Sequence, residues 1–426
     1  MKILIISHNS FSTFQSMGKT FCSLFSAFQR RELCQFYIYP TIPDVNACNS
    51  YYRITDRDVL HFFKKFKVYG KEIKINPASN LNHKLFENRN DESFYRNKKN
   101  RSAFRSLARD FLWTITPWFN GSLREWLRKE QITHIFIAPG GYKFIYNIAL
   151  KCSRFLNVPI VTYVCDEYFF TSPQKGIVDK IKDILLKRKM KQLMSKTSLI
   201  VTISEELKNI YEPYFKKPTK VIMTGTSFPI ASVPLQRGTI KELTYMGNIR
   251  CNRYISLCDI GDALDEINKE YNKNYSLNIY SGENDEGILN ELRKRKSIKL
   301  NGFISGDKFR QVFYSAQCLL HVEAFDKKSI DLVKNSISTK IADSLGSGIL
   351  LLAYGPSQIA SMEHLRRNNC AVLVDNKDKL KNTLFKIVSM SESDRSVIIS
   401  NALATANIYH DANTNGTELL NAIAEI

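Results

Sequence analysis

The sequence predicts an α/β fold made of two doubly wound, Rossmann-like domains facing a cleft. Three observations point to it. Short apolar runs alternate with helical segments along most of the chain, the pattern of parallel strands crossed over by helices. Turn signals such as Ala138-Pro139-Gly140-Gly141 and Val158-Pro159 stand where strand-to-helix connections belong. The alternation breaks over 227–238, where Pro, Ser and Gly dominate, and then restarts. A chain of 426 residues suits two domains of roughly 200 residues each.

In the first half, strands are expected over 3–7, 34–39, 134–138, 160–165, 199–202 and 221–224. Residues 64–110 are polar and basic, with Asn and charge concentrated in 80–100, and read as an irregular insertion. In the second half, strands over 243–246, 277–280, 298–300, 318–322 and 349–353 interleave with helices over 256–271, 287–294, 307–315 and 338–345. Residues 377–426 are helical by pattern. The boundaries that follow are 1–230, a linker, 239–405, and a terminal helix over 406–426 crossing back to the first domain. No repeat of 20 to 50 residues stands out.

Composition narrows the chemistry. Lys+Arg number 61 against 41 Asp+Glu, a formal charge of +20. Such an excess attracts nucleic acid, anionic lipid headgroups or a phosphorylated small molecule. No nucleic-acid recognition motif supports the first. The nine cysteines are odd in number and include no C-x-x-C, which predicts reduced thiols in a cytoplasmic protein. The seven histidines show no ligand spacing, so no metal site is expected. The first apolar run gives way to Ser7-His8-Asn9-Ser10, too short for a secretory signal. No stretch approaches the roughly 18 to 20 apolar residues that span a bilayer.

Two basic stretches bear on membranes. Residues 179–196 interleave seven Lys/Arg and two Asp with Ile, Leu and Met, and 98–119 mix arginines with Phe104, Phe111, Trp113, Trp118 and Phe119. Helices of this kind either lie on an anionic membrane or pack on the core with a solvated basic face.

The chemistry-bearing motifs follow strands, where doubly wound sheets bind ligands. Gly18-Lys19-Thr20 imitates the end of a P-loop, but Thr13 stands where the first glycine belongs, which removes the NTPase reading. What remains is either a tight turn or a helix N-terminus able to hold an anion. Gly247-Asn248-Ile249-Arg250-Cys251-Asn252-Arg253 carries two arginines, a diphosphate clamp or a solvated helix start. His321-Val322-Glu323-Ala324-Phe325-Asp326 ends a buried strand with two acids. Ser338 and Thr339 are natural N-caps, yet Lys340 in the first turn opposes the helix dipole unless an anion sits there. Asp166, in Cys165-Asp166-Glu167-Tyr168, either orients or deprotonates an acceptor hydroxyl, or caps the next helix. Asp56-Arg57-Asp58 reads as a helix start capped by Thr55 rather than a metal-binding pair.

These motifs, with Ser7-His8-Asn9, Asn301-Gly302-Phe303, and Gly348 followed by Ala353-Tyr354-Gly355-Pro356, resemble the GT-B glycosyltransferases. The resemblance is to the large retaining family four, as encoded in bacterial surface-polysaccharide loci, and it spans nearly the whole chain. It implies a nucleotide-sugar donor in the second domain and a saccharide or lipid-linked acceptor in the first. By the same resemblance, Arg253 and Lys340, with the N–H groups beside Ser338 and Thr339, hold the donor diphosphate. Gly302 and Phe303 border the nucleobase, and Asp343 takes the place of the acid that meets the ribose. Either Glu323 or Asp326 meets the donor sugar. Asn248 replaces the family's arginine, for which Arg250 compensates, and the Gly18 loop reaches toward the diphosphate. Neither a metal nor a cofactor is implied, and the anomeric configuration is retained. Accessory sugar-nucleotide binding without catalysis, and sugar-nucleotide epimerisation, are the alternatives.

Overall fold

The apolar run at the start of the chain becomes β1 (Ile3–Ser7), buried along its whole length, as befits a parallel strand covered on both faces. It is joined by β2 (Leu33–Tyr37), β3 (Ser50–Arg53), β4 (Lys71–Ile73), β5 (His134–Ile137), β6 (Ile160–Val164), β7 (Thr197–Thr202) and β8 (Thr219–Val221). The computed structural model describes residues 1–13, 16–73, 75, 103–171 and 176–426. The strand order is β4-β3-β2-β1-β5-β6-β7-β8, parallel except for the β3–β4 pair. Direction of winding therefore reverses between β1 and β5.

The second sheet contains β9 (Glu242–Met246), β10 (Ser276–Tyr280), β11 (Ile298–Leu300), β12 (Cys318–Val322), β13 (Leu350–Tyr354) and β14 (Val372–Val374). All its pairs are parallel in the order β11-β10-β9-β12-β13-β14, and winding reverses between β9 and β12. Each sheet has its own apolar core. The chain divides into one unit of residues 1–222 and 413–426 and a second of residues 223–412.

Several boundaries differ from expectation for local reasons. The division falls at 222/223 because the Pro/Ser/Gly stretch is not a free linker. Ala231 and Leu235 donate backbone hydrogen bonds of 2.8 Å to the carbonyls of Gly346 and Gly348. Gly348 (φ +73) has Val233 O only 3.0 Å from where a Cβ would stand, so this strap requires a glycine. The terminal helix is Ala412–Ala424, which buries Leu419, Ala422 and Ile423 in the first unit's core.

The expected insertion holds β4 and a helix, Ala103–Ile115, whereas its Asn-rich part, 80–100, lies outside the described residues. Sequence patterning overlooked β3 because Ser-Tyr-Tyr-Arg is not an apolar run. The strand is buried through specific partners, with Arg53 donating to Thr41 O and Trp126 donating to Ser50 Oγ. Helices Lys327–Val333 and Ala360–Arg367 and strand β14 were likewise unforeseen.

Candidate functional site

Ligands of doubly wound sheets bind outside the carboxyl ends of the strands, where the winding reverses. In the second unit that point lies between β9 and β12. Chain leaving β9 passes through Gly247 at φ +151, and Lys340, from helix Thr339–Gly346, lies directly over it. A Cβ on Gly247 would stand 2.6 Å from Lys340 Nζ and 3.2 Å from its Cδ. The ammonium is 4.9 Å from the centre of the Tyr245 ring and 3.4 Å from its hydroxyl. Among the described residues, no carboxylate lies within ion-pair distance of Lys340. It stands in the first helical turn, one residue before Ile341, whose N–H donates to Ser338 O at 2.9 Å. Ser338 makes no side-chain cap; its own N–H donates to Ser361 Oγ at 3.1 Å. Cation and helix dipole thus repel, and an anion would relieve both.

Both arginines, by contrast, are engaged. Arg253 opens helix Arg253–Tyr271 after two left-handed residues, Cys251 and Asn252. Its Nε and Nη2 meet the two oxygens of Glu323 at 2.8 and 3.0 Å. Glu323 is only 4% exposed. Its backbone is pinned by an N–H to Tyr354 O (3.0 Å) and by a carbonyl accepting from Ser256 Oγ (2.9 Å). Arg250 turns away to Glu283, after β10, at 2.7 Å. Asn248 does not substitute for a charge but shapes the turn, its Oδ1 accepting from Arg250 N at 2.7 Å.

The remaining second-unit residues separate by task. Asp326 caps helix Lys327–Val333 through Ser329 N and takes Asn252 Nδ2 on its other oxygen, both at 3.0 Å. Both acids thus have both oxygens engaged, Asp326 by Ser329 and Asn252 and Glu323 by Arg253. Asp343 Oδ1 accepts from Ser227 N at 2.6 Å. Gly302 (φ +71) turns the chain after β11 and presents Phe303, which is 74% exposed and lies beside Gly282.

In the first unit, Asp166 is exposed after β6 and accepts from Tyr168 Oη at 3.2 Å. The next described helix starts at Ile177 with Gly176 before it, so Asp166 is not its cap. Gly18 is explained by packing. Its Cβ position is 2.6 Å from Ser12 N, and the loop over the helix start is tied down by Ser12 Oγ and Thr13 N donating to Asp44 at 2.6 and 2.7 Å.

Sequence reasoning gave no task to the residues at the first unit's own reversal point, between β1 and β5. His8 follows β1 and sits 5.5 to 5.7 Å from the rings of Tyr142, Tyr39 and Phe144. Arg109, paired with Asp56 at 2.8 Å, lies 4.5 Å over Tyr142. Burial, with Arg109 adding and Asp56 opposing, lowers His8 to about 3. The one available signal was Gly140-Gly141 after β5, where a Cβ on Gly140 would stand 3.3 Å from the His8 ring.

Solved structures share this whole-chain architecture. The chain resembles a trehalose-phosphate synthase (UDP-forming) from Burkholderia vietnamiensis at TM-score 0.61 and 13% identity, with 100% of each chain covered. HepE from Anabaena, in complex with UDP and glucose, matches at 0.61 and 12%, again over 100% of both chains. A sucrose-phosphate synthase from Thermosynechococcus elongatus matches at 0.63 and 11%, over 100% of this chain and 99% of that one. The chain has the GT-B fold. No family model and no curated protein matches the sequence. Within GT-B, the second unit carries the charged rim and the first the aromatic one.

Proposed function

We propose that the protein is a glycosyltransferase that moves a sugar from a nucleotide-sugar donor to a saccharide or lipid-linked acceptor, in the synthesis of bacterial surface polysaccharide. The observation that carries this reading is Lys340, a cation with no carboxylate partner among the described residues, held over Gly247 at a helix start and at the reversal point of the second sheet. Departure of a nucleoside diphosphate builds negative charge on its phosphates. A preorganised ammonium and helix N-terminus stabilise that charge as it develops. In this reading Phe303 stacks on the nucleobase, Asp343 meets the ribose, Glu323 faces the sugar, and Asp166 orients the acceptor hydroxyl. The donor is a substrate, and no resident cofactor or metal takes part. Transfer proceeds with retention.

The lipid-linked acceptor is supported by an exposed face of the first unit. Helix Ala103–Ile115 packs against both Asp56–Lys65 and Ile177–Lys196. Leu60, Phe63, Phe104, Phe111, Ile181 and Ile184 are exposed on these helices, with Lys64, Lys65, Arg105, Lys180 and Arg188 exposed beside them. Apolar side chains among cations suit the headgroup region of an anionic membrane. No described helix is long and apolar enough to cross one. We therefore assign the protein to the cytoplasm, in peripheral contact with the inner membrane face.

A panel of nucleotide sugars, incubated with the protein and isolated polyprenyl-linked acceptor, tests the assignment through release of nucleoside diphosphate and the anomeric configuration of the product. Binding of a nucleotide sugar without transfer would favour the accessory reading, and conversion of the sugar without an acceptor would favour an epimerase. Sedimentation with anionic vesicles, abolished by salt and by Phe111→Asp with Ile181→Asp, tests the membrane face. Equal binding to neutral vesicles would count against it.

A further inference from the structure

An arginine already gripped by both oxygens of a buried carboxylate cannot offer its fork to a phosphate without leaving that carboxylate behind. A buried carboxylate that loses its partner is strongly destabilised unless another positive group takes over. The surroundings of Glu323 contain one candidate. His321 lies two residues earlier in the chain, inside β12, which Glu323 directly follows. It is 3% exposed, and its Nε2 stands 3.8 Å from Glu323 Oε1. Both ring nitrogens are buried and without a hydrogen-bond partner among the described residues. Orphaned polar atoms of this kind are rare in folded proteins and ask for an explanation.

The charged groups around this histidine come from three elements. Glu323 follows its own strand, Arg253 comes from helix Arg253–Tyr271, and Lys340 from helix Thr339–Gly346, with Tyr245 of β9 beside Lys340. In the arrangement described, burial above all lowers His321 to about 4, with Lys340 and Arg253 lowering it further and Glu323 opposing. The ring is neutral at pH 7 while Arg253 neutralises Glu323.

We propose that His321 is a positioning residue that takes up a proton when an anionic diphosphate draws Arg253 away from Glu323. The proton comes from solvent and binds a ring nitrogen, giving an imidazolium that pairs with Glu323 while Arg253 pairs with phosphate. No covalent bond other than that N–H changes. The lone carboxylate is thereby neutralised, and the donor gains a second cation beside Lys340. This inference rests on the donor-site reading above.

Its signature is proton uptake on binding, so affinity falls as pH rises, by up to about tenfold per pH unit at full linkage. Calorimetric titration of the full chain with UDP-glucose and with GDP-mannose, in PIPES, imidazole and Tris at pH 7, measures that uptake. Neither sugar nucleotide has a group titrating near this pH, so the uptake belongs to the protein. The expected result is uptake approaching about one proton in the wild type and none in His321→Gln. A loss of stability in the variant would not by itself create or remove a buffer-dependent enthalpy, and the wild-type measurement needs no variant. Binding with no uptake between pH 6 and 8 overturns the inference and leaves the donor site standing. Uptake that persists in His321→Gln overturns it by assigning the proton elsewhere. Failure of both sugar nucleotides to bind overturns the donor site and the inference together.

Discussion

The two sheets wind alike but end differently. At the reversal point of the second unit, ionic groups gather at the strand ends: Lys340 over Gly247, Arg253 locked to Glu323, and Arg250 turned to Glu283. At the corresponding point of the first unit, the ring of His8 is enclosed by Tyr39, Tyr142 and Phe144, and the nearby arginine, Arg109, is stacked on aromatic faces. Topology supplies a crevice in both. What it binds is decided by the few residues that follow β1 and β5 or β9 and β12. A charged rim suits a diphosphate, whereas an aromatic rim beside a neutral imidazole suits a neutral hydroxylated ligand.

Acid should separate the two units most strongly. His321, His364 and His410, all in the second unit, are lowered mainly by burial to about 4, 3 and 4, while the first unit has His8 at about 3 and the less buried His134, also lowered by burial. In the unfolded chain each returns to its ordinary value near 6.5. The unfolded state then binds more protons than the folded state, so stability falls as pH drops from about 6.5 toward 4, at about 1.4 kcal/mol per pH unit for each fully linked histidine. All three tryptophans, at 113, 118 and 126, belong to the first unit. On acidification, loss of far-UV ellipticity should therefore precede the change in tryptophan fluorescence. Coincident transitions would mean that the units do not differ in this respect.

Next in size is Lys340→Ala, expected to weaken nucleotide-sugar binding about 100-fold, the loss of a charge-assisted contact of roughly 2–3 kcal/mol. Calorimetry against UDP-glucose measures it, and an effect under threefold would deprive the charged rim of its role. Gly247→Ala should cost about 1–3 kcal/mol of stability, since it combines a strained φ with a Cβ driven into Lys340. Gly302→Ala meets open space at φ +71 and should cost only about 1 kcal/mol, so thermal melting of the pair should show the larger loss at Gly247, where both the φ and the neighbouring Lys340 oppose a side chain. Smallest is Arg250→Ala. Its partner is Glu283 and its side chain is 34% exposed, so donor affinity should change by less than about threefold.

Much of the fold was legible because parallel strands buried on both faces announce themselves as apolar runs, as in residues 3–6 and 318–322. Where burial is achieved by hydrogen-bonded polar groups, as in β3 with Arg53 on Thr41 O, no run exists to read. The Pro/Ser/Gly stretch looked like a linker because composition cannot reveal the backbone bonds that strap Ala231 and Leu235 to Gly346 and Gly348. Lys340 was legible from a local conflict, a cation in the first turn of a helix, and that conflict depends only on neighbours in sequence. Asp326 and Glu323 were not separable in the same way, since their partners, Asn252 and Arg253, lie more than 60 residues earlier.

By itself, the sequence determined the apolar strands and the helices between them, the basic charge and the place of Lys340 in a first helical turn, because these follow from local periodicity, composition and neighbours in the chain. Tertiary structure alone decided which charges are already spent. Only when β9 and β12 lie side by side does Arg253 meet Glu323, Arg250 find Glu283 beyond β10, and Lys340 remain over a glycine with no carboxylate of the described residues in reach. Ion pairing depends on distances of a few ångströms between groups far apart in the chain, and those distances exist only once the strand order is set.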